Sequence, residues 1–172
     1  ADSKTPSKAS VNGSCTVQTC SVDPETAVNV ELGTKWNVLG EKLALTAAGF
    51  RNERQNYKVA DPGNPHNPGG LQQLDGEARV DGVALGAAGR ITSAWSLFAN
   101  YTFLDSEVLQ SVSDYVRQST GIDAQAGNPL PGTPEHSGSV WSTYTLQDWT
   151  FGYGVNYQGS FYTASTDDAP EV

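Results

Sequence analysis

Two pairs of carboxylates stand at alternate positions in this chain, Asp75 with Glu77 and Asp105 with Glu107. In an extended segment each pair shares one face, and two carboxylates about 5–9 Å apart are what a glycosidase uses. Both pairs lie next to long polar segments, so solvated surface charge is the better reading. His66 and His136 are each isolated in a Pro-containing stretch, and no Gly-x-Ser-x-Gly elbow offers a nucleophile. Cys15 and Cys20 cannot complete a zinc site, which needs four ligands, and they are read as a disulfide closing a short bend. The Asp/Asn/Gly-rich stretch from Asp61 to Asn67 lacks the spaced carboxylates of a calcium loop. No catalytic residue, resident metal or cofactor is expected.

The elements that carry these residues alternate with a period of two. Val28, Val30, Leu32, Thr34 and Trp36 share one face, against Asn29, Glu31, Gly33 and Lys35. Trp95, Leu97, Ala99, Tyr101 and Phe103 repeat the pattern. So do Trp149, Phe151, Tyr153, Val155 and Tyr157, opposed by Thr150, Gly152, Gly154, Asn156 and Gln158. Runs over 43–54, 78–92 and 137–146 complete six expected strands. Residues 1–26, 61–73 and 109–135 read as long loops, the last with a short helix over Ser111–Ser119, and the tail from Thr163 shows no pattern. Short turns near 37–41, 92–94 and 147–148 therefore alternate with long loops, which describes an antiparallel meander. Trp36, Trp95 and Trp149 each fall on the apolar face beside a short turn.

Composition narrows what such a sheet serves. The chain of 172 residues is long enough for a sizeable core, yet only 17% of it is charged and its net charge is −9. No cluster of Lys or Arg is present to neutralise phosphates, which excludes nucleic-acid binding. No apolar run reaches the length of a membrane helix, and the opening Ala-Asp-Ser-Lys lacks the core of a signal peptide. A soluble β-sandwich uses strands of about 5–6 residues, whereas a tilted strand crossing a bilayer needs about 9–11. The alternating runs match the second length. With small polar residues opposite the apolar face, they point to a transmembrane barrel wall. Six strands alone would leave two unpaired edges in lipid, so the chain is expected to be an interior excerpt of a larger barrel. A soluble extracellular β-sandwich binding module, for carbohydrate as an example, is the alternative.

The segments Val28–Lys35, Leu43–Arg51, Val80–Thr92, Trp95–Ser106, Gly127–Ser137 and Val140–Tyr144, in this order, resemble the C-terminal part of TonB-dependent outer-membrane siderophore receptors. The match runs over about residues 25–162 and is nearest the catecholate branch. The resemblance implies an all-β, 22-stranded barrel filled by a plug, of which this chain would supply roughly strands 14 to 19. On this reading 1–26 is an extracellular loop, 27–162 carries six strands with their loops, and 163–172 begins the next loop. Its long loops would face an oxidising compartment, which favours the Cys15–Cys20 disulfide. Implied partners are a ferric siderophore as transported ligand, outer-membrane lipid, and the TonB system through a plug outside this chain. Trp36, Trp95 and Trp149 would then form an interfacial girdle. Many relatives carry an acidic residue where this chain has Ala84, on the implied lumen face. A ferric chelate is bulky, often anionic, and presents flat surfaces that Arg and aromatic side chains suit. Arg54, Tyr57, Tyr115, Arg117 and Tyr162, near the long-loop rim, are the candidate ligand contacts.

Overall fold

The structure, a computed structural model, describes residues 2–3, 24–67, 72–166 and 170–172. Cys15 and Cys20 lie outside the described residues. One antiparallel sheet runs in sequence order through β1 (Asp2–Ser3), β2 (Glu25–Val38), β3 (Leu43–Val59), β4 (Gln73–Arg90), β5 (Trp95–Gln110), β6 (His136–Leu146) and β7 (Trp149–Gln158). A helix, α1 (Asp114–Thr120), follows β5. The six expected strands are all present, and a two-residue strand joins them from the segment read as loop: Asp2 and Ser3 pair with Thr26 and Glu25.

β2, β3 and β5 outrun their expected ranges and β4 begins five residues before its own, because the backbone ladder continues past the apolar stretch, whereas β7 ends at Gln158. β4 has 18 residues and β3 has 17, and both project beyond any bilayer crossing toward the long loops. The helix starts at Asp114, three residues later than expected. Ser113 adopts extended backbone and its hydroxyl accepts from the Val116 N–H, while Gly121 ends the helix in the left-handed region with φ 68°. The patternless tail also folds back. Phe161 and Val172 exchange two backbone hydrogen bonds of 3.0 and 2.9 Å, and Tyr162 pairs with Glu171.

Pairing fixes the faces. The row through Trp36 runs Leu45, Ala87, Ala99, Val140 and Val155. That row starts beside the first short turn and ends in the middle of β7. Successive strands therefore slip along one another, which is the stagger of a tilted barrel wall. The longest apolar runs, in β2, β5 and β7, fall on the one face of this row, while Phe50, Phe98, Leu104 and Trp141 stand on the other. Leu97, Tyr101, Phe151 and Val155 share the face of the row, and Tyr101, Phe151 and Val155 stand exposed with no second sheet against them. The sandwich reading required these four to interlock between two layers, and it fails here. The buried apolar side chains among the described residues, Val59, Ala78, Val108 and Val116, gather at the long-loop end.

Candidate functional site

At the long-loop end of β3 the alternation breaks. Register shifts between Gln55 and Tyr57, with Asn56 in the left-handed region at φ 59°. This bulge moves Tyr57 from the apolar face, where strict alternation would place it, to the inner face that Arg54 already occupies. Tyr57 then pairs with Gly76, where a Cβ would collide with its ring. The Arg54 guanidinium carbon sits 5.5 Å from the centre of the Tyr57 ring, a cation–π contact, and its Nε donates to Glu25 at 2.6 Å. The Tyr57 hydroxyl donates to the Gln110 carbonyl at 2.8 Å. The Gln110 side chain in turn accepts from Arg117 Nη1 at 2.6 Å and donates to Asp114 at 2.9 Å. Arg54, Tyr57 and Arg117 thus belong to one connected cluster. A cavity of about 580 Å³ opens beside it, lined by Asn29, Asn52, Arg54 and Tyr57 from the strands and by Leu130 and Pro131 from the loop above. The loop leans over the inner face.

The long loops are fastened to each other by a buried carboxylate. Asp61, only 5% exposed, accepts from the Ser113 hydroxyl, from Asn64 Nδ2 at 2.8 Å and from Asn67 Nδ2 at 2.7 Å, with Gln73 Nε2 at 3.4 Å. Burial alone would raise its pKa, but the donors stabilise the ionised form and hold it below the usual carboxylate range. Asp123 is held low in the same way: burial opposes ionisation, and bonds from the Ser111 hydroxyl and N–H outweigh it. The Ser113 N–H donates to the Ala60 carbonyl, and Asp75 accepts from the Asp114 N–H at 2.9 Å. The loop after β3 and the loop after β5 therefore form one body.

The remaining candidates lie elsewhere. Tyr115 is half-buried on α1 and lines neither cavity, while Tyr162 lines a second space of about 390 Å³ with Asp105, His136 and Glu171. Asp105 and Glu107 point to the apolar face above its apolar band, and Glu107 accepts from Arg79 at 2.6 Å. Arg51 meets Asp81 bidentately there, at 2.6 and 2.8 Å. Gln110, Asp61 and Ser113 were missed by sequence reasoning because they are ordinary polar residues whose partners lie up to 53 positions away.

The apolar face is built for a different medium. Leu32 is 84% exposed and Trp149 70%. Trp36, Trp95 and Trp149 all sit on it next to short turns, and the Trp95 indole N–H donates to the Ser142 hydroxyl at 2.8 Å. At the other end Tyr101, Phe103, His136 and Tyr157 form a second aromatic level, the Tyr101 hydroxyl 2.8 Å from His136 Nδ1. From Trp95 to Phe103 is eight residues, or about 20 Å of height at roughly 3.3 Å per residue and about 40° of tilt. Two aromatic levels bound an apolar band close to that of an outer-membrane barrel.

Comparison with known proteins agrees with this geometry. The family described as TonB dependent receptor-like, beta-barrel matches residues 6–171. The chain is 40% identical over 144 residues to the probable TonB-dependent siderophore receptor PiuA of Acinetobacter baumannii, covering 82% of this chain and 18% of that protein. It is 33% identical over 143 residues to the catecholate siderophore receptor Fiu of Escherichia coli, covering 83% and 17%. The crystal structure of the ferric-catecholate import receptor Fiu superposes with a TM-score of 0.67 at 31% identity, over 94% of this chain and 20% of that one. The chain spans under a fifth of the length of these curated relatives. It belongs to the TonB-dependent receptor-like β-barrel family, as a stretch of outer-membrane barrel wall.

Proposed function

We propose that this chain is the wall and part of the mouth of an outer-membrane receptor that imports ferric siderophores, driven by TonB through a plug outside the chain. The observation that carries the reading is the inner-face cavity beside Arg54 and Tyr57, in a wall whose relatives are named as siderophore receptors. Arg54 supplies charge and planar donors to an anionic chelate, and the Tyr57 ring supplies a flat face. Arg117 holds the cluster through Gln110 and borders the mouth. Trp36, Trp95 and Trp149 anchor the wall at the inner interface, where an indole keeps one edge wet. The chain acts in transport, in keeping with its family of receptors, and performs no chemistry on the chelate.

The test is equilibrium binding of an iron(III) tris-catecholate to cells displaying the full-length receptor. Arg54→Ala with Tyr57→Ala is expected to weaken binding about tenfold or more, the worth of one charge-assisted contact. Tyr115→Ala and Tyr162→Ala serve as comparisons, because they lie outside this cavity. Equal affinity for the double variant and the wild type would remove Arg54 and Tyr57 from the site.

A further inference from the structure

The lower part of the inner face, on the short-turn side of the row Glu31, Phe50, Gly82 and Leu104, departs from the rest of the chain in charge. Among the described residues this area carries Lys35 and Arg90 and no carboxylate, although the whole chain has 19 acidic residues against 10 basic. Glu31 stands on the boundary row above and lines a space with Lys35 and Phe98, and Glu41 and Asp148 stand in the turns below. The same area carries two large rings, just below Phe50 and Leu104 on its boundary row. Phe98 and Trp141 are cross-strand partners, 54% and 53% exposed. Trp141 lies against Gly154, where any Cβ would run into the indole, so the glycine lets the ring lie along the wall. A space of about 300 Å³ beside the two rings is bordered by Arg90 and Thr143.

We propose that Arg90, Phe98 and Trp141 form a transit subsite inside the barrel for an anionic ligand with flat aromatic groups, distinct from the capture cavity at the mouth. The inference rests on the import reading above and adds a second station to it. Charge complementarity selects the anion, and the paired rings select a planar surface over an aliphatic one. The subsite lies toward the short-turn end, so a ligand reaches it only after leaving the mouth.

The experiment compares surface binding with TonB-driven import of radioactive iron, supplied as the iron(III) tris-catecholate trianion to cells producing the full-length receptor. Arg90→Gln and Trp141→Ala are expected to bind the chelate as the wild type does and to import it roughly tenfold more slowly. Trp141→Phe, which keeps a flat ring, is expected to import normally. Unchanged import in Arg90→Gln and Trp141→Ala overturns the proposal while leaving the import reading standing. A matching loss of surface binding overturns it too, by making these residues part of capture. Entry of a large antibiotic such as vancomycin without TonB, in the variants only, shows that the patch seats the plug and likewise overturns it. A wild-type receptor that neither binds nor imports the chelate ends both readings.

Discussion

Strand β7 and the knot around Asp61 are opposite solutions to one problem. Every residue of β7 is exposed, apolar ones included, because its apolar face has no protein layer against it. Around Asp61, polar residues are buried because they satisfy one another, and Val59, Val108 and Val116 close over the same region. The wall delegates its burial to the bilayer, whereas the rim supplies its own. A single sequence therefore has two rules for what is inside. In the wall a continuous band of exposed apolar side chains is correct, and at the rim such a band would be a defect.

The sharpest way to break this contrast is to put a charge on the lipid side. Tyr153→Arg, on the apolar face of β7, should cost the full-length barrel about 2–4 kcal/mol in a bilayer, read by reversible folding into vesicles. Thr102→Arg, on the inner face of β5, should cost much less. Equal penalties would show that the two faces see the same medium.

The next effect belongs to the rim. Asp61→Ala removes the acceptor that Ser113, Asn64 and Asn67 share and should destabilise the knot by about 1–3 kcal/mol, with the strands unaffected. Faster proteolysis confined to 60–73 and 111–130 is the expected signature. Acid should act in the same place. The folded-state pKa values of Asp61 and Asp123 are lowered, so the folded rim binds fewer protons than the unfolded one. Their stabilisation is present in full above the ordinary carboxylate value of about 4 and is lost as pH falls through the folded values. Hydrogen exchange measured from neutral pH downward should open the loops before the strand ladder. Simultaneous opening would show that rim and wall are one cooperative unit.

The smallest effect is expected between the two regions. Arg51 and Asp81 are well formed but exposed, at the boundary above the apolar band. Asp81→Asn should leave folding into vesicles unchanged within error, since a pair in water gains little. A loss as large as that of Asp61→Ala would place this boundary inside a low-dielectric layer.

Much of the wall was legible in the residues themselves. Alternation assigned the faces of Val28–Trp36, Trp95–Phe103 and Trp149–Tyr157 correctly, because a two-residue repeat is a local consequence of the extended backbone. The rim resisted the same reasoning. Tyr57 reaches the inner face only through the bulge at Asn56, and no residue type announces a bulge there. Asp61 and Ser113 are 52 residues apart, and neither one alone signals burial. Loop residues are chosen for contacts made across the fold, so their logic appears only when both partners are placed. Tyr115 and Tyr162, chosen for nearness to a long loop, do not line the cavity beside Arg54 and Tyr57.

The slip of each strand past its neighbour, seen in the row from Trp36 to Val155, gives the wall the character of a screw thread. An inserted or deleted residue within one strand would throw every later turn of the thread out of phase, and the ring could no longer meet its own beginning. Changes of length are therefore confined to the connections, and natural variation in this part of the barrel has room to act on what the mouth recognises without disturbing how the cylinder closes.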